Sequence, residues 1–157
     1  MQVERRVEKE NLGMAGEYAV ASELCRRNLH AQVTLGKRKR TDILVYNPDT
    51  RKWLRVEVKT KQKREWPGIT GINDDHTALV FVDYQNKGEN ERPDFYILTR
   101  EDWHDFVTAH VLPRPGLAHL EQGYIPVWKD GYRGTGVRPD QIGDHREKWD
   151  KIVRLLQ

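Results

Sequence analysis

The residues most able to do chemistry in this 157-residue chain are Asp42, Glu57 and Lys59. They sit in two β-rich runs, Thr41-Asp42-Ile43-Leu44-Val45-Tyr46 and Trp53-Leu54-Arg55-Val56-Glu57-Val58-Lys59-Thr60, separated by the turn Asn47-Pro48-Asp49-Thr50. Strand side chains alternate between faces, so Ile43, Val45, Leu54, Val56 and Val58 form an apolar face, and Asp42, Arg55, Glu57 and Lys59 form a polar one. If Tyr46 pairs with Trp53, Asp42 stands directly opposite Glu57, ~5 Å away between Cβ atoms. If the loop is only Asn47 to Thr50, Asp42 faces Arg55 and Glu57 is its diagonal neighbour at ~7 Å. In either register two carboxylates repel unless a cation lies between them. A divalent ion that takes oxygen ligands satisfies that need, and Lys59 meets part of it. The plainer alternative is a solvated salt-bridge ladder on the outer face of a hairpin.

A helix must position a further acid. Leu12, Gly16, Ala19, Val20 and Leu24 recur at helical spacing and predict a helix that begins near Gly13 and ends near Asn28. Gly13 and Gly16 weaken a helix, so their presence points to close approach of another backbone, such as the hairpin. Glu17 borders this small-residue face, whereas Glu23 is expected to point into solvent.

An acid on a helix, then Asp on one strand and Glu-x-Lys on the next, resembles the PD-(D/E)xK nuclease superfamily. The first sixty residues are most similar to archaeal-type Holliday junction resolvases and small restriction-like endonucleases. Thr41 stands where the motif name has Pro, and the second half does not resemble a resolvase. It is weakly similar to restriction-like proteins with the same front end. The resemblance implies that Asp42, Glu57 and the main-chain carbonyl of Val58 bind Mg²⁺ or Mn²⁺. It also implies that Lys59 orients or deprotonates the attacking water, and that Glu17 holds a second metal or a water. Gln62 lies near the same edge with a lesser part.

The charge distribution suits a polyanionic partner. Residues 1–66 hold 16 Lys and Arg against 9 Asp and Glu, and residues 67–157 hold 11 against 15. The basic half is the half with the acid pair, and Lys37, Arg38, Lys39 and Arg40 on one side, with Lys61, Lys63 and Arg64 on the other, are expected to contact DNA. A homodimer is expected by analogy, because cutting two strands takes two sites. The alternative function is a nucleic-acid-binding or partner-binding protein that keeps the nuclease fold without cutting.

The remaining chain supplies the frame. Ala31 to Leu35 is a predicted strand, and Trp66-Pro67-Gly68 breaks the pattern before a loop that reaches His76. In that loop Asp74-Asp75-His76 reads as a turn or cap rather than a metal site. Thr77 to Tyr84 is an almost continuous apolar run, expected to be a central strand covered on both faces. Pro93 to Leu98 follows as a strand, and Thr99 with Asp102 caps a helix whose buried stripe is Trp103, Phe106, Val107 and Val111.

Residues 112–143 form an irregular arm. There Trp128, Lys129, Tyr132, Arg133 and Arg138 mix aromatics with cations, and Tyr124 to Trp128 is a candidate hairpin. Asp144 and Glu147 are expected to cap a closing helix. The predicted fold is α/β with a restriction-endonuclease-like core, a mixed central sheet flanked by helices in the order α-β-β-β-β-β-α. It forms one domain over 1–157, with a core at about 11–111, the arm at about 112–143 and the closing helix at about 144–157. One cysteine, Cys25, excludes an intrachain disulfide and reads as a small packing residue. No membrane span and no signal-like stretch is visible, so a cytoplasmic protein is expected.

Overall fold

The computed structural model describes residues 6–34, 42–122 and 124–157. Lys37, Arg38, Lys39, Arg40 and Thr41 therefore lie outside the described residues, as does Leu35 at the end of the expected first strand. Helix α1 spans Lys9–Cys25. It stops where Asn28 adopts a left-handed conformation (φ 61°), with the Leu29 amide returning to the Leu24 carbonyl.

Three strands follow: β1 at His30–Val33, β2 at Ile43–Asn47 and β3 at Lys52–Lys61. The β2–β3 turn closes on Asn47, whose carbonyl accepts from the Arg51 amide and whose side chain accepts from the Asp49 amide. Strand β4 is Trp66–Ile69, β5 is Thr77–Asp83 and β6 is Asp94–Leu98. The main sheet runs β1-β2-β3-β5-β6, parallel only between β3 and β5. This is an α/β fold with a mixed, mostly antiparallel central sheet and helices on its flanks.

Helix α2 is Arg100–His110, and its N-terminus bears the expected reciprocal cap: Thr99 Oγ1 accepts from the Asp102 amide, and Asp102 Oδ2 accepts from the Thr99 amide. The arm contains more regular structure than its Gly and Pro content suggests. Strands β7 (Leu117–Glu121) and β8 (Ile125–Trp128) form a hairpin. Strand β9 (Thr135–Val137) pairs with β4, so Trp66-Pro67-Gly68 is part of a strand and not only a break. Helix α3 is Asp150–Leu155. Its start differs from expectation: Asp144 lies in a single 3₁₀ turn at Gly143–His145, and Glu147 has φ 55° and caps nothing. The Glu147 carboxylate instead accepts from Arg92 and from Trp149 Nε1.

Two apolar layers sandwich the sheet. On one face α1 and α3 bury Val20, Leu24, Ile152 and Leu156 against Ile43, Val45, Val56, Val58, Val80 and Ile97. On the other, α2 and the arm bury Trp66, Trp103, Phe106 and Ile142 against Leu79, Phe81, Tyr96 and Leu98. Every residue from Ala78 to Asp83 is buried, as expected of a strand covered on both faces. The second layer does not reach β1, β2 and the first half of β3, where residues of that face stay partly or fully exposed.

Candidate active site

The register of the β2–β3 hairpin decides how near the acids come. Ile43 pairs with Val56, Val45 with Leu54 and Tyr46 with Trp53. Continued one position past Ile43, this register sets Asp42 opposite Glu57, the closer of the two arrangements the sequence allows. The Asp42 backbone is tied to β1, its carbonyl accepting from the Thr34 amide at 2.9 Å.

Strand β3 bonds to β5 through its odd positions: the Arg55 amide donates to His76 and the Lys61 carbonyl accepts from Tyr84. A strand residue sends its amide and carbonyl to the same edge, so even positions, including Val58, face β2. The Val58 amide accordingly donates to Asp42 Oδ2 at 2.8 Å. The Val58 carbonyl leaves β3 on that same edge. Lys59 Nζ lies 3.9 Å from Glu57 Oε1. Burial pushes the Glu57 carboxyl above its ordinary range, Lys59 draws it back, and the Asp42 charge pushes it up again. Asp42, Glu57, Lys59 and the Val58 main chain are thus one assembly on two adjacent strands.

Glu17 is held differently. It is only 7% exposed and sits on α1, next to Gly16, whose hydrogen-only side faces Thr60: a Cβ there would meet Thr60 Oγ1 at 1.8 Å. Gly16 therefore does allow close approach of the hairpin, whereas Gly13 has no neighbour within 4 Å among the described residues and plays no such part. Thr60 and Val58 point toward α1, and Glu57 and Lys59 point to the opposite face. Among the described residues no three His, Cys, Asp or Glu side chains group to hold a metal ion.

Several expected roles change. Lys61 is 3% exposed, with Nζ 2.7 Å from Asp83 Oδ1, 2.7 Å from the Lys63 carbonyl and stacked over Trp66. A lysine so enclosed cannot contact a phosphate, and it serves as a buried ion pair. Lys63 and Arg64 are exposed. Gln62 Oε1 accepts from the Val7 amide, which ties the chain before α1 to the end of β3. Glu23 is buried, not solvated, and pairs with Arg92 and Arg27 at 2.8 and 2.9 Å. Cys25 is exposed rather than packed. In the arm, Arg133 pairs with Glu121 and Arg138 with Asp140, while Trp128 donates to the Gly134 carbonyl and lies under Arg114.

One feature was not visible in the sequence. A cleft of about 170 Å³ opens beside Glu57, lined by Arg55, Val56, Gly71, Ile72, Asn73, Asp74 and Thr77. Its far wall is the loop before β5, fixed by Asp74, whose Oδ1 accepts from the His76 amide and from Thr77 Oγ1. The loop is pressed on α2 at Gly71 (φ 79°), where a Cβ would meet the Trp103 ring at 2.1 Å. The parallel β3–β5 pairing brings this loop to Glu57, and sequence periodicity alone does not reveal such a pairing.

No helix among the described residues is long and apolar enough to cross a membrane. Neither protein-family models nor curated proteins match this sequence. Among solved structures it is similar to the bacterial homing endonuclease I-Ssp6803I, with 17% identity over 94% of this chain and 93% of that one and a TM-score of 0.47.

Proposed function

We propose that this protein is a metal-dependent nuclease of the PD-(D/E)xK type, an endonuclease that hydrolyses DNA phosphodiester bonds with Mg²⁺ or Mn²⁺. The observation that supports this most is the assembly of Asp42, Glu57 and Lys59: Asp42 bonded to the Val58 amide at 2.8 Å, with Lys59 3.9 Å from Glu57. A salt-bridge ladder would also place Lys59 beside Glu57. It gives no reason to hold a second carboxylate opposite a Glu57 whose ionised form burial already disfavours.

The residues fit a hard divalent cation. Mg²⁺ binds through one or two carboxylates and lets substrate phosphates fill much of its shell, so Asp42, Glu57 and the Val58 carbonyl suffice without a third acid. When bound, the cation supplies positive charge at the phosphate and makes water more acidic. Asp42 and Glu57 would hold it, with the Val58 carbonyl. Lys59 hydrogen-bonds the attacking water or the non-bridging oxygens, where negative charge builds as the new P–O bond forms and the opposite one breaks. Glu17, buried on α1 beside Gly16, contributes through a second cation or an intervening water. Lys63 and Arg64, with Lys37 to Arg40 in the chain just before Asp42, grip the backbone, and two copies of the chain cut the two strands.

The test is cleavage of supercoiled, linear, branched and single-stranded DNA, and of RNA, with Mg²⁺, Mn²⁺ or EDTA, by the natural chain and by Glu57→Ala and Lys59→Ala. Metal-dependent cutting lost in both variants supports the proposal. Binding without cutting under both metals would instead favour a protein that keeps the fold and has no nuclease activity.

A further inference from the structure

The face that bears Asp42 and Glu57 continues, away from the acids, as a surface of β1, β2 and β3 on which no described element packs. Its side chains fall in cross-strand rows. His30 pairs with Tyr46 and Tyr46 with Trp53; the next row is Gln32, Leu44 and Arg55; the row after that would be Thr34, Asp42 and Glu57. The Tyr46 and Trp53 ring centroids are 4.6 Å apart, and those of His30 and Tyr46 are 6.2 Å apart. Trp53 is nevertheless 56% exposed, while Trp66, Trp103 and Trp149 are buried and Trp128 is partly buried.

Rows are two residues apart, so the aromatic row stands roughly 13 Å from the acid pair along the strands. That is about four base steps at the ~3.4 Å rise of a stacked strand, and fewer if the strand is extended. Beyond the acids, the rows of this face contain His30, Gln32, Leu44, Tyr46, Trp53 and Arg55 and no carboxylate. Arg55 stands between the two ends. Among the described residues its guanidinium reaches only Asp74, at 3.5 Å and largely in solvent, and it lines the cleft beside Glu57. An ion pair so exposed is weak and exchanges readily for a phosphate.

We propose that this face is a platform for single-stranded nucleic acid, on which a base stacks against Trp53 and Tyr46 while the backbone passes Arg55 toward the cleft at Glu57. This rests on the nuclease reading and adds that each copy of the chain engages one strand where it is single or locally unpaired. A sheet face with the exposed Trp53 ring offers the π-surface that any base can use, and Arg55, held only by an exposed pair with Asp74, is the cation along it that a phosphate can take. Trp53 keeps more than half of its surface in solvent although it already lies against Tyr46, so one face of the indole is open to a base.

Trp53 also supplies the readout. A short oligothymidylate titrated into the full chain in EDTA, where nothing is cut, should quench tryptophan emission. Trp53→Ala should abolish the quench and weaken binding about 5- to 150-fold, the range that loss of one stacked base gives. Trp53→Phe, which keeps a ring against Tyr46, should lose the quench but keep most of the affinity, and melting curves identify any variant that is misfolded.

No binding by the natural chain, binding without quench, or unchanged affinity in Trp53→Ala would overturn the platform. So would a change of sedimentation mass in Trp53→Ala, which would make this face a contact between two copies of the chain. The two readings fail separately. Trp53-dependent binding without cutting under Mg²⁺ keeps the platform and removes the nuclease. Metal-dependent cutting of single strands indifferent to Trp53 keeps the nuclease and removes the platform.

Discussion

Glu57 is where activity and stability oppose each other. Burial raises its carboxyl, only partly offset by Lys59, and Asp42 adds to the rise. A carboxyl raised in the folded state binds more protons folded than unfolded, so its contribution is present below the unfolded pKa and is lost as pH rises through the folded one. Without metal the fold therefore disfavours the ionised form of Glu57. Glu57→Gln removes that charge and keeps the shape. It should leave the Tm in EDTA equal or raised by a few degrees at most, the scale on which ~1 kcal/mol moves a chain of this size, and should lower cleavage by about 10³-fold or more. A fall in Tm in differential scanning calorimetry would mean that the carboxylate is a structural partner and not a charge held for a cation. Lys61, one turn of the alternation beyond Lys59, shows how little residue type alone decides. Both lysines share a face, but Lys61 meets Asp83 under Trp66, so one is a candidate catalytic group and the other is interior.

At the scale of elements, the α1–β3 contact fixes where Glu17 can reach. Gly16→Ala would gain up to ~1 kcal/mol of helix propensity, but its methyl would fall 1.8 Å from the side chain of a stiff, β-branched Thr60. The clash is the larger effect. Overpacking of this kind costs ~1–3 kcal/mol, so urea unfolding should show a net loss for Gly16→Ala, and Gly16→Ala with Thr60→Ala should recover only part of it, because the Cβ at position 60 still lies 2.9 Å from the new methyl. If the single variant is neutral, α1 shifts freely on β3 and does not hold Glu17 in place.

Gly16 was legible as a close-approach residue because a glycine on an apolar helix face costs helix stability and brings no side chain to the packing. Gly13 looked the same in sequence and is not one, since only the tertiary arrangement says which glycine meets the strand. The hairpin faces were equally legible from alternation, but not the register: both loop lengths keep Asp42 and Glu57 on one face, and the Asn47 turn selects between them. The expected cap at Asp144 and Glu147 failed because Glu147 is more strongly engaged by Arg92 and Trp149 than by a helix end.

At the scale of the whole molecule, one ion network joins α1, the segment before β6 and the segment before α3. Arg92 binds both Glu23 and Glu147, and both partners raise its pKa. Burial alone would raise the Glu23 and Glu147 carboxyls, but the hydrogen bonds from Arg92, with Arg27 on Glu23 and Trp149 on Glu147, outweigh it and hold both below the ordinary 4.5. Asp102 is lowered in the same way, its bonds from Lys151 and the Thr99 amide outweighing burial. Lowered carboxyls contribute stability above their unfolded pKa and lose it as pH falls through the folded one. The protein should therefore lose stability from about pH 5 downward, and Arg92→Gln should be less stable at pH 7 with a shallower acid limb in denaturant titrations. An unchanged acid limb would show that the network contributes nothing to the folded state.

Long-range pairings of this kind were not legible in sequence. Arg92 lies in a polar loop and Glu23 on a helix, 69 positions apart, and neither has a local signature. In the arm the hairpin strand at Ile125–Trp128 was legible, but the β4–β9 pairing was hidden for the same reason, since β9 is three residues long and forms a strand only by pairing with β4.

The proposal that Asp42, Glu57 and Lys59 hydrolyse phosphodiesters together with a divalent cation stands or falls on the rate of DNA cleavage in Mg²⁺. Cutting should stop in EDTA and return with fresh Mg²⁺, and Asp42→Ala, Glu57→Ala and Lys59→Ala should each be slower by about 10²-fold or more while remaining folded. Cutting that persists in EDTA, or that survives in all three variants, would contradict it.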